Sequence, residues 1–268
     1  MPELPEVESV RRQLDPALRG RRIVTAWIDD HPAQRFHDVE TAEGHLIERV
    51  DRRGKYLIGR LDGDRELVLH LGMTGSFRVD EGLDPDPYDR ARFHLDDGRV
   101  VAFRDPRRFG RVSVVPSGDH RLVPLLAALG PEPLSDDFDP VVFAGQLRRS
   151  SAPVKALLLG QRLVAGVGNI YADESLWRAR IHPASRRVGP ERAGRLHGHI
   201  RDVLTAAIER EGTTFRDYRM VNGESGRYAD FLDVYGKAGL PCPRCGTVLQ
   251  RSIVAQRGTT HCPRCQRS

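Results

Sequence analysis

The chain has 268 residues, of which 39% are hydrophobic and 29% charged, with a net charge of +5 and a pI near 9.3. That length accommodates two domains with ordinary cores, and no apolar run is long enough to cross a membrane. The first residues lack the charged-then-apolar pattern of a secretory leader, so a soluble, cytoplasmic protein is expected. Charge is unevenly placed: residues 236–268 hold six basic residues and no Asp or Glu, leaving 36 basic against 37 acidic residues elsewhere. A basic module on a near-neutral body suggests a polyanionic partner, the alternative being a tail whose charge serves solubility alone.

The chain opens Met1-Pro2-Glu3-Leu4-Pro5-Glu6. Removal of Met1 would leave Pro2 as a free secondary amine with the Glu3 carboxylate beside it. Amine plus acid can form and resolve a Schiff base at a sugar carbon. The same residues also suit an ordinary helix start, with Pro in the first turn and Glu favoured by the helix dipole. From Glu3 to Leu18, Val7, Val10, Leu14 and Leu18 form an apolar stripe at helical spacing, ended by Gly20. From about Ile23 to Val115 short strands alternate with turns; 56–61, 66–70, 92–95 and 99–103 are strands, with Asp62-Gly63 and Asp97-Gly98 as hairpin turns. An antiparallel sandwich or barrel follows. Residues 130–140 form a linker, after which 140–149, 154–159, 170–179 and 190–211 carry helical periodicity.

Three segments of the β-rich part hold candidate chemistry. Arg52-Arg-Gly-Lys55-Tyr brings three positive charges to the entry of a strand. His70-Leu-Gly-Met73-Thr-Gly75 ends a strand in a glycine-flanked loop that exposes a Met. Asp105-Pro-Arg107-Arg108-Phe109-Gly110 pairs Arg with an aromatic in a tight loop, a combination that can wedge between bases. Each segment equally suits a solvated turn or local packing. In the helical part, Val164-Ala-Gly-Val-Gly-Asn169 leads into a helix whose first N–H groups could bind phosphate, with Asn169 as a candidate N-cap.

All four cysteines lie in the tail, as Cys242-x2-Cys245, then 16 residues, then Cys262-x2-Cys265. This spacing fits a closed tetrahedral zinc site of four thiolates and favours structural zinc over two disulfides in a cytoplasmic chain. The stretch between the pairs folds back as a hairpin, and Arg257-Gly258 sits where the turn is expected. An Arg at such a tip can reach a phosphate.

Taken together, MPELPEVE, RRGKYL, HLGMTG, DPRRFG, GPEPLSDDF, GVGNIYADE, VYGKAGLPC and AQRGTTHC, in this order, make the chain resemble the formamidopyrimidine-DNA glycosylases, essentially from Pro2 to Cys265. The resemblance implies an α+β multidomain fold. Its parts are an N-terminal antiparallel β-sandwich with an N-terminal helix (1–130), a helix–two-turn–helix domain (131–230) and a C-terminal β-hairpin zinc finger (231–268). It implies excision of oxidised purines from double-stranded DNA followed by strand nicking at the abasic site. Endonuclease VIII, the sister class for oxidised pyrimidines, shares Pro2 and Glu3; Leu4 and the HLGMTG and DPRRFG loops favour the first class. A non-catalytic zinc protein that binds DNA, with Met1 retained and Pro2-Glu3 only a helix start, is a third reading.

By the same resemblance, Pro2 is the nucleophile, Glu3 its acid/base partner and Lys55 a contact to backbone and lesion. Met73, Arg107 and Phe109 fill the void left by the extruded nucleotide, and Asn169 and Arg257 hold phosphates. Glu6 is a supporting carboxylate, and His70 joins the DNA-contacting set. Cys242, Cys245, Cys262 and Cys265 hold one structural Zn2+, and no redox cofactor is needed. A monomer acting in the cytoplasm on nucleoid DNA is expected, with the glycine-rich stretch 221–230 as a segment that caps the lesion.

Overall fold

A computed structural model describes residues 1–29, 35–213, 221–224 and 226–267. By internal contacts the chain divides into two compact units, one of residues 1–127 with 210–227, the other of 128–209 with 228–268. The first unit begins with helix α1 (Leu4–Leu18), whose buried Val7, Val10, Leu14 and Leu18 are the stripe read from the sequence. Pro5 lies in its first turn, where a missing N–H costs nothing. Gly20 follows the helix at φ +75°, a conformation that a side chain would disfavour.

Among the described residues nine strands follow: β1 (Arg21–Ile28), β2 (Phe36–His37), β3 (Leu46–Arg53), β4 (Tyr56–Leu61), β5 (Arg65–His70), β6 (Ser76–Glu81), β7 (Asp89–Leu95), β8 (Arg99–Arg104) and β9 (Arg111–Pro116). They are ordered β2-β9-β5-β4-β3-β1-β7-β8-β6. Strand β1 belongs to both halves of this sheet: Arg21 and Arg22 pair with β3, and after a register shift between Ile23 and Thr25 the strand pairs with β7. The two halves pack face to face as a sandwich. Val50, Leu57 and Leu69 from one half share a buried core with Phe77, Phe93 and Val101 from the other, and α1 adds Leu14. The pairing departs from all-antiparallel at one edge, where the short β2 runs parallel to β9. Two residues are too few to impose a pattern that a sequence reading could detect. Helix α2 (Pro124–Ala127) closes this part of the unit.

The second unit holds helices α3 (Pro140–Arg149), α4 (Val154–Leu159), α5 (Asn169–Arg178) and α6 (Pro190–Glu209), then strands β10 (Gln250–Val254) and β11 (Arg257–His261). Asp139 caps α3 by accepting the N–H groups of Val141 and Val142, each at 2.8 Å. The amphipathic α6 buries Leu196, Ile200, Val203 and Leu204 in one core with Phe143, Leu176 and Tyr171. A smaller cluster of Trp177, Val234, Leu249, Cys242 and Cys262 lies beneath the hairpin.

The turn of this hairpin lies two residues earlier than expected from Arg257-Gly258. Val254 pairs with Arg257, so Ala255 and Gln256 form the two-residue loop, both in the left-handed region at φ +52° and +57°. A type I′ turn matches the twist of its strands closely enough to place two non-glycine residues there. The glycine-rich 221–230 stretch is divided rather than continuous. Val221 packs on the core of the first unit, whereas Tyr228 is fully buried in the core of the second; Ser225 lies outside the described residues.

Candidate active site

Pro2 and Glu3 are both buried, Glu3 to 2% exposure, and Glu3 is the N-cap of α1. The Glu6 carboxylate turns back to accept the Glu3 N–H at 2.7 Å, half of a capping box. Its other oxygen accepts the N–H of Thr213 at 2.7 Å. Glu6, itself 1% exposed, thus ties the first turn of the chain to a segment 207 residues away. Gly212 is the residue that allows this approach. It sits at φ +80°, and a Cβ there would meet the Glu6 carboxylate at 2.6 Å. Next to it, the backbone of 210–213 pairs with 226–227 through Arg227 N–H to Arg210 O at 2.9 Å and a Thr213–Arg227 bridge.

Lys55 occupies the two-residue turn between β3 and β4, with Gly54 supplying φ +56° at the first position, as a II′ turn requires. It is a hairpin tip, yet Lys55 is only 7% exposed. Close by, His70 packs its ring 4.7 Å from Tyr56 and accepts the Gly72 N–H on Nδ1 at 3.0 Å, which leaves Nε2–H as its donor. Burial, then the charges of Lys55, Arg111 and Arg35, lower the His70 pKa to about 4. The neutral ring donates without adding a fourth charge.

Met73 and Phe109 are 37% and 40% exposed, and Arg107 lies over the Phe109 ring at 4.9 Å. The three project from two loops locked by a residue that carries no motif role in the sequence reading, Asp105. Fully buried, it accepts the Thr74 hydroxyl at 2.5 Å on one oxygen and the Gly110 N–H at 2.7 Å on the other. Gly72, at φ +62°, lies against the Phe109 backbone so closely that a Cβ would come within 2.5 Å of it. The exposed apolar side chains are therefore held on rigid loops. Asp105 stands inside the quoted DPRRFG, but only its burial and two partners disclose what it does.

In the second unit, Gly168 is the N-cap of α5 and Asn169 its first residue, so Asn169 is not the cap. Its Nδ2 instead donates to the Gly258 carbonyl at 3.0 Å, joining the helix start to the residue after Arg257. Arg257 opens β11 with an exposed side chain. Beneath it lies a fully buried ion pair: Lys155 Nζ is 2.7 Å from Asp173 Oδ1 and 2.8 Å from Thr259 Oγ1, and Asp173 Oδ2 accepts the Thr260 N–H at 2.9 Å. Burial pushes the Asp173 carboxyl up to about 6 despite the lysine. Its neighbour Glu174 accepts the N–H groups of Asp233, Val234 and Tyr235 at 2.8–2.9 Å. Helix spacing alone does not mark these two acids, because adjacent carboxylates read as a solvated face.

The four cysteine sulfurs lie within 4.8 Å of one another, Cys245 and Cys262 at 3.6 Å. Tetrahedral zinc with bonds of about 2.3 Å needs sulfurs about 3.8 Å apart, so the residues fit that ion. Each pair sits in a tight knuckle, with the Gly246 N–H reaching the Cys242 carbonyl at 2.9 Å and the Gln266 N–H the Cys262 carbonyl at 3.0 Å.

Comparison with known proteins places each part of the chain. Residues 1–112 match the formamidopyrimidine-DNA glycosylase N-terminal domain, 129–219 the H2TH domain of the same family, and 239–267 a zinc finger found in FPG and IleRS. The formamidopyrimidine-DNA glycosylase of Thermus thermophilus is 50% identical, covering 99% of this chain and 98% of its own length. That of Deinococcus radiodurans is 47% identical over 99% of this chain and 97% of its own. The crystal structure of the MutM (Fpg) protein from Thermus thermophilus superposes with a TM-score of 0.92 at 49% identity, covering 99% of this chain and 98% of that one. A complex of Lactococcus lactis Fpg with abasic-site DNA superposes at 0.89 and 35% identity, covering 99% and 100%.

Proposed function

The chain belongs to the formamidopyrimidine-DNA glycosylases, base-excision repair enzymes that remove oxidised purines from DNA, and on that premise we propose that its Pro2 amine carries the reaction. With Met1 removed, the Pro2 nitrogen attacks C1′ of the extruded nucleotide, and the base leaves with a proton. Sugar-ring opening, with Glu3 moving the proton, gives an iminium between Pro2 and C1′. The iminium acidifies the C2′ proton. Its loss expels the 3′ phosphate and a second elimination expels the 5′ phosphate, which makes the protein an abasic-site lyase as well as a glycosylase.

Extruding the nucleotide costs a few kcal/mol of stacking and pairing. Met73, Arg107 and Phe109, presented on locked loops, fill the gap and offset that loss. Lys55, the Nε2–H of neutral His70, Asn169 and Arg257 hold the phosphates. One structural zinc ion, held by Cys242, Cys245, Cys262 and Cys265 in a closed site, orders the hairpin that carries Arg257. The chemistry requires neither a redox cofactor nor a second copy of the chain, and we infer a monomer working on nucleoid DNA in the cytoplasm.

The observation that carries this reading is the burial of Pro2 and Glu3 at a helix start fixed by Glu6, which holds amine and acid together. The test is borohydride reduction during turnover of a duplex with 8-oxoguanine opposite cytosine. A covalent adduct mapping to Pro2, absent from Pro2→Gly protein with Met1 retained, is expected. Zinc-loaded protein lacking Met1 that cleaves this duplex without forming an adduct refutes the Schiff base.

A further inference from the structure

A second basic surface lies in the same unit as Asn169 and Arg257 but at its other end. It is a basin of about 660 Å3 lined by Arg180, Arg192, Arg244, Arg264 and Arg267 together with Cys245 and Cys265, and no carboxylate of the described residues lines it. Many arginines elsewhere are matched to acids, as with Arg78 and Asp89 at 2.9 Å or Arg90 and Asp29 at 3.0 Å, although Arg201, outside the basin, also bonds the carbonyls of Pro133 and Ser135. Here two of the five side chains bond backbone carbonyls. Arg244 stacks on Trp177 at 4.0 Å and donates to its carbonyl at 3.1 Å, and Arg192 donates to the Arg267 carbonyl at 2.6 Å. Such bonds fix the side chains without neutralising them.

Three further considerations set this basin apart from a chance cluster. A zinc ion with four thiolates carries a formal charge of −2, so five guanidiniums still leave an excess of positive charge. Arg180 follows the last turn of α5 at φ +59°, the left-handed position that glycine ordinarily fills, so an arginine stands where backbone conformation disfavours it. The basin is also remote from the phosphate contacts already assigned. Asn169 begins α5 and Arg180 follows its end, about 16 Å away at 1.5 Å per residue.

We propose that this five-arginine basin is a second DNA-backbone site, which takes the phosphates of a duplex segment other than the one holding the lesion. Planar guanidinium forks without carboxylate competitors suit phosphate oxygens, and the open basin suits a backbone better than an enclosed small anion. A protein that holds two segments at once can pass from one to the other without free diffusion.

The test uses full-length, zinc-loaded protein and the variant R180Q/R264Q/R267Q, none of whose changed residues is placed in the excision machinery. Protein on a labelled duplex is challenged with rising concentrations of unlabelled, undamaged duplex. The wild-type off-rate is expected to rise with competitor concentration, as direct transfer requires, and the variant rate to stay flat while both excise a short lesion duplex equally. If Arg180, Arg264 and Arg267 each neutralise one phosphate, affinity at this site weakens roughly 40-fold between 50 and 200 mM salt. A wild-type off-rate independent of competitor overturns the proposal whatever the variants do, and leaves the excision activity untouched. Equal competitor dependence in wild type and in R180Q/R267Q, which spares the residues between the cysteines, also overturns it. So does binding of an acidic peptide at the basin with no transfer between duplexes.

Discussion

Replacing Lys155 with methionine keeps the length and most of the volume of the side chain but removes its charge. The ammonium donates to Asp173 at 2.7 Å, Thr259 Oγ1 at 2.8 Å and the Gly258 carbonyl at 3.3 Å, and both members of the ion pair are fully buried. Breaking a buried pair by removing one partner costs about 3–5 kcal/mol, because the other charge is left without compensation. Asp173 already titrates near 6 because of burial, with the lysine holding it down. Without the lysine its pKa moves higher, so the folded protein keeps a proton that the unfolded chain releases. Stability of K155M is therefore expected to fall as pH rises from about 4 through the folded pKa, by about 1.4 kcal/mol per unit. The double variant K155M/D173N removes the stranded acid and is expected to recover about 2 kcal/mol or more of the single-variant loss. The measurements are urea unfolding followed at several pH values and hydrogen exchange at the Thr260 amide, which is bonded to Asp173. Excision should fall with exchange protection, because Gly258 adjoins Arg257. A K155M protein within about 1 kcal/mol of wild type, or strict additivity with D173N, refutes the reasoning.

Asp105→Ala strips two bonds from a buried carboxylate and should destabilise the first unit by about 2–4 kcal/mol; single-turnover excision should drop with it, whereas normal excision would show that the loops need no lock. His70 has its pKa lowered to about 4 from an ordinary 6.5, so it contributes fully above 6.5 and its contribution is lost as pH falls toward 4. H70N should flatten that part of the stability–pH curve by about 3 kcal/mol, measured by urea unfolding between pH 7 and 4. Gly212→Ala forces a Cβ against Glu6 at a positive φ, and a loss of Schiff-base trapping without loss of DNA binding is the expected result. Chelation of zinc should abolish DNA binding while the circular dichroism of the β-sandwich persists; tight binding by verified metal-free protein contradicts the scaffold role.

Features set by neighbours in the chain were legible before the fold was known. The cysteine knuckles need only a two-residue gap, the stripe of α1 needs only 3.6-residue periodicity, and the turns at Gly63 and Gly98 need only a glycine where φ is positive. Resemblance to a family added the candidate roles of residues scattered over the chain, but no reason for their geometry. What tertiary structure alone decided are the supports. Glu6 meets Thr213 across 207 residues, Asp105 meets Thr74 across 31, and Lys155 meets Thr259 across 104. Each is a polar group made tolerable inside the protein by a partner distant in sequence. A buried acid and a solvated one have the same letter, and only the packing around it says which it is.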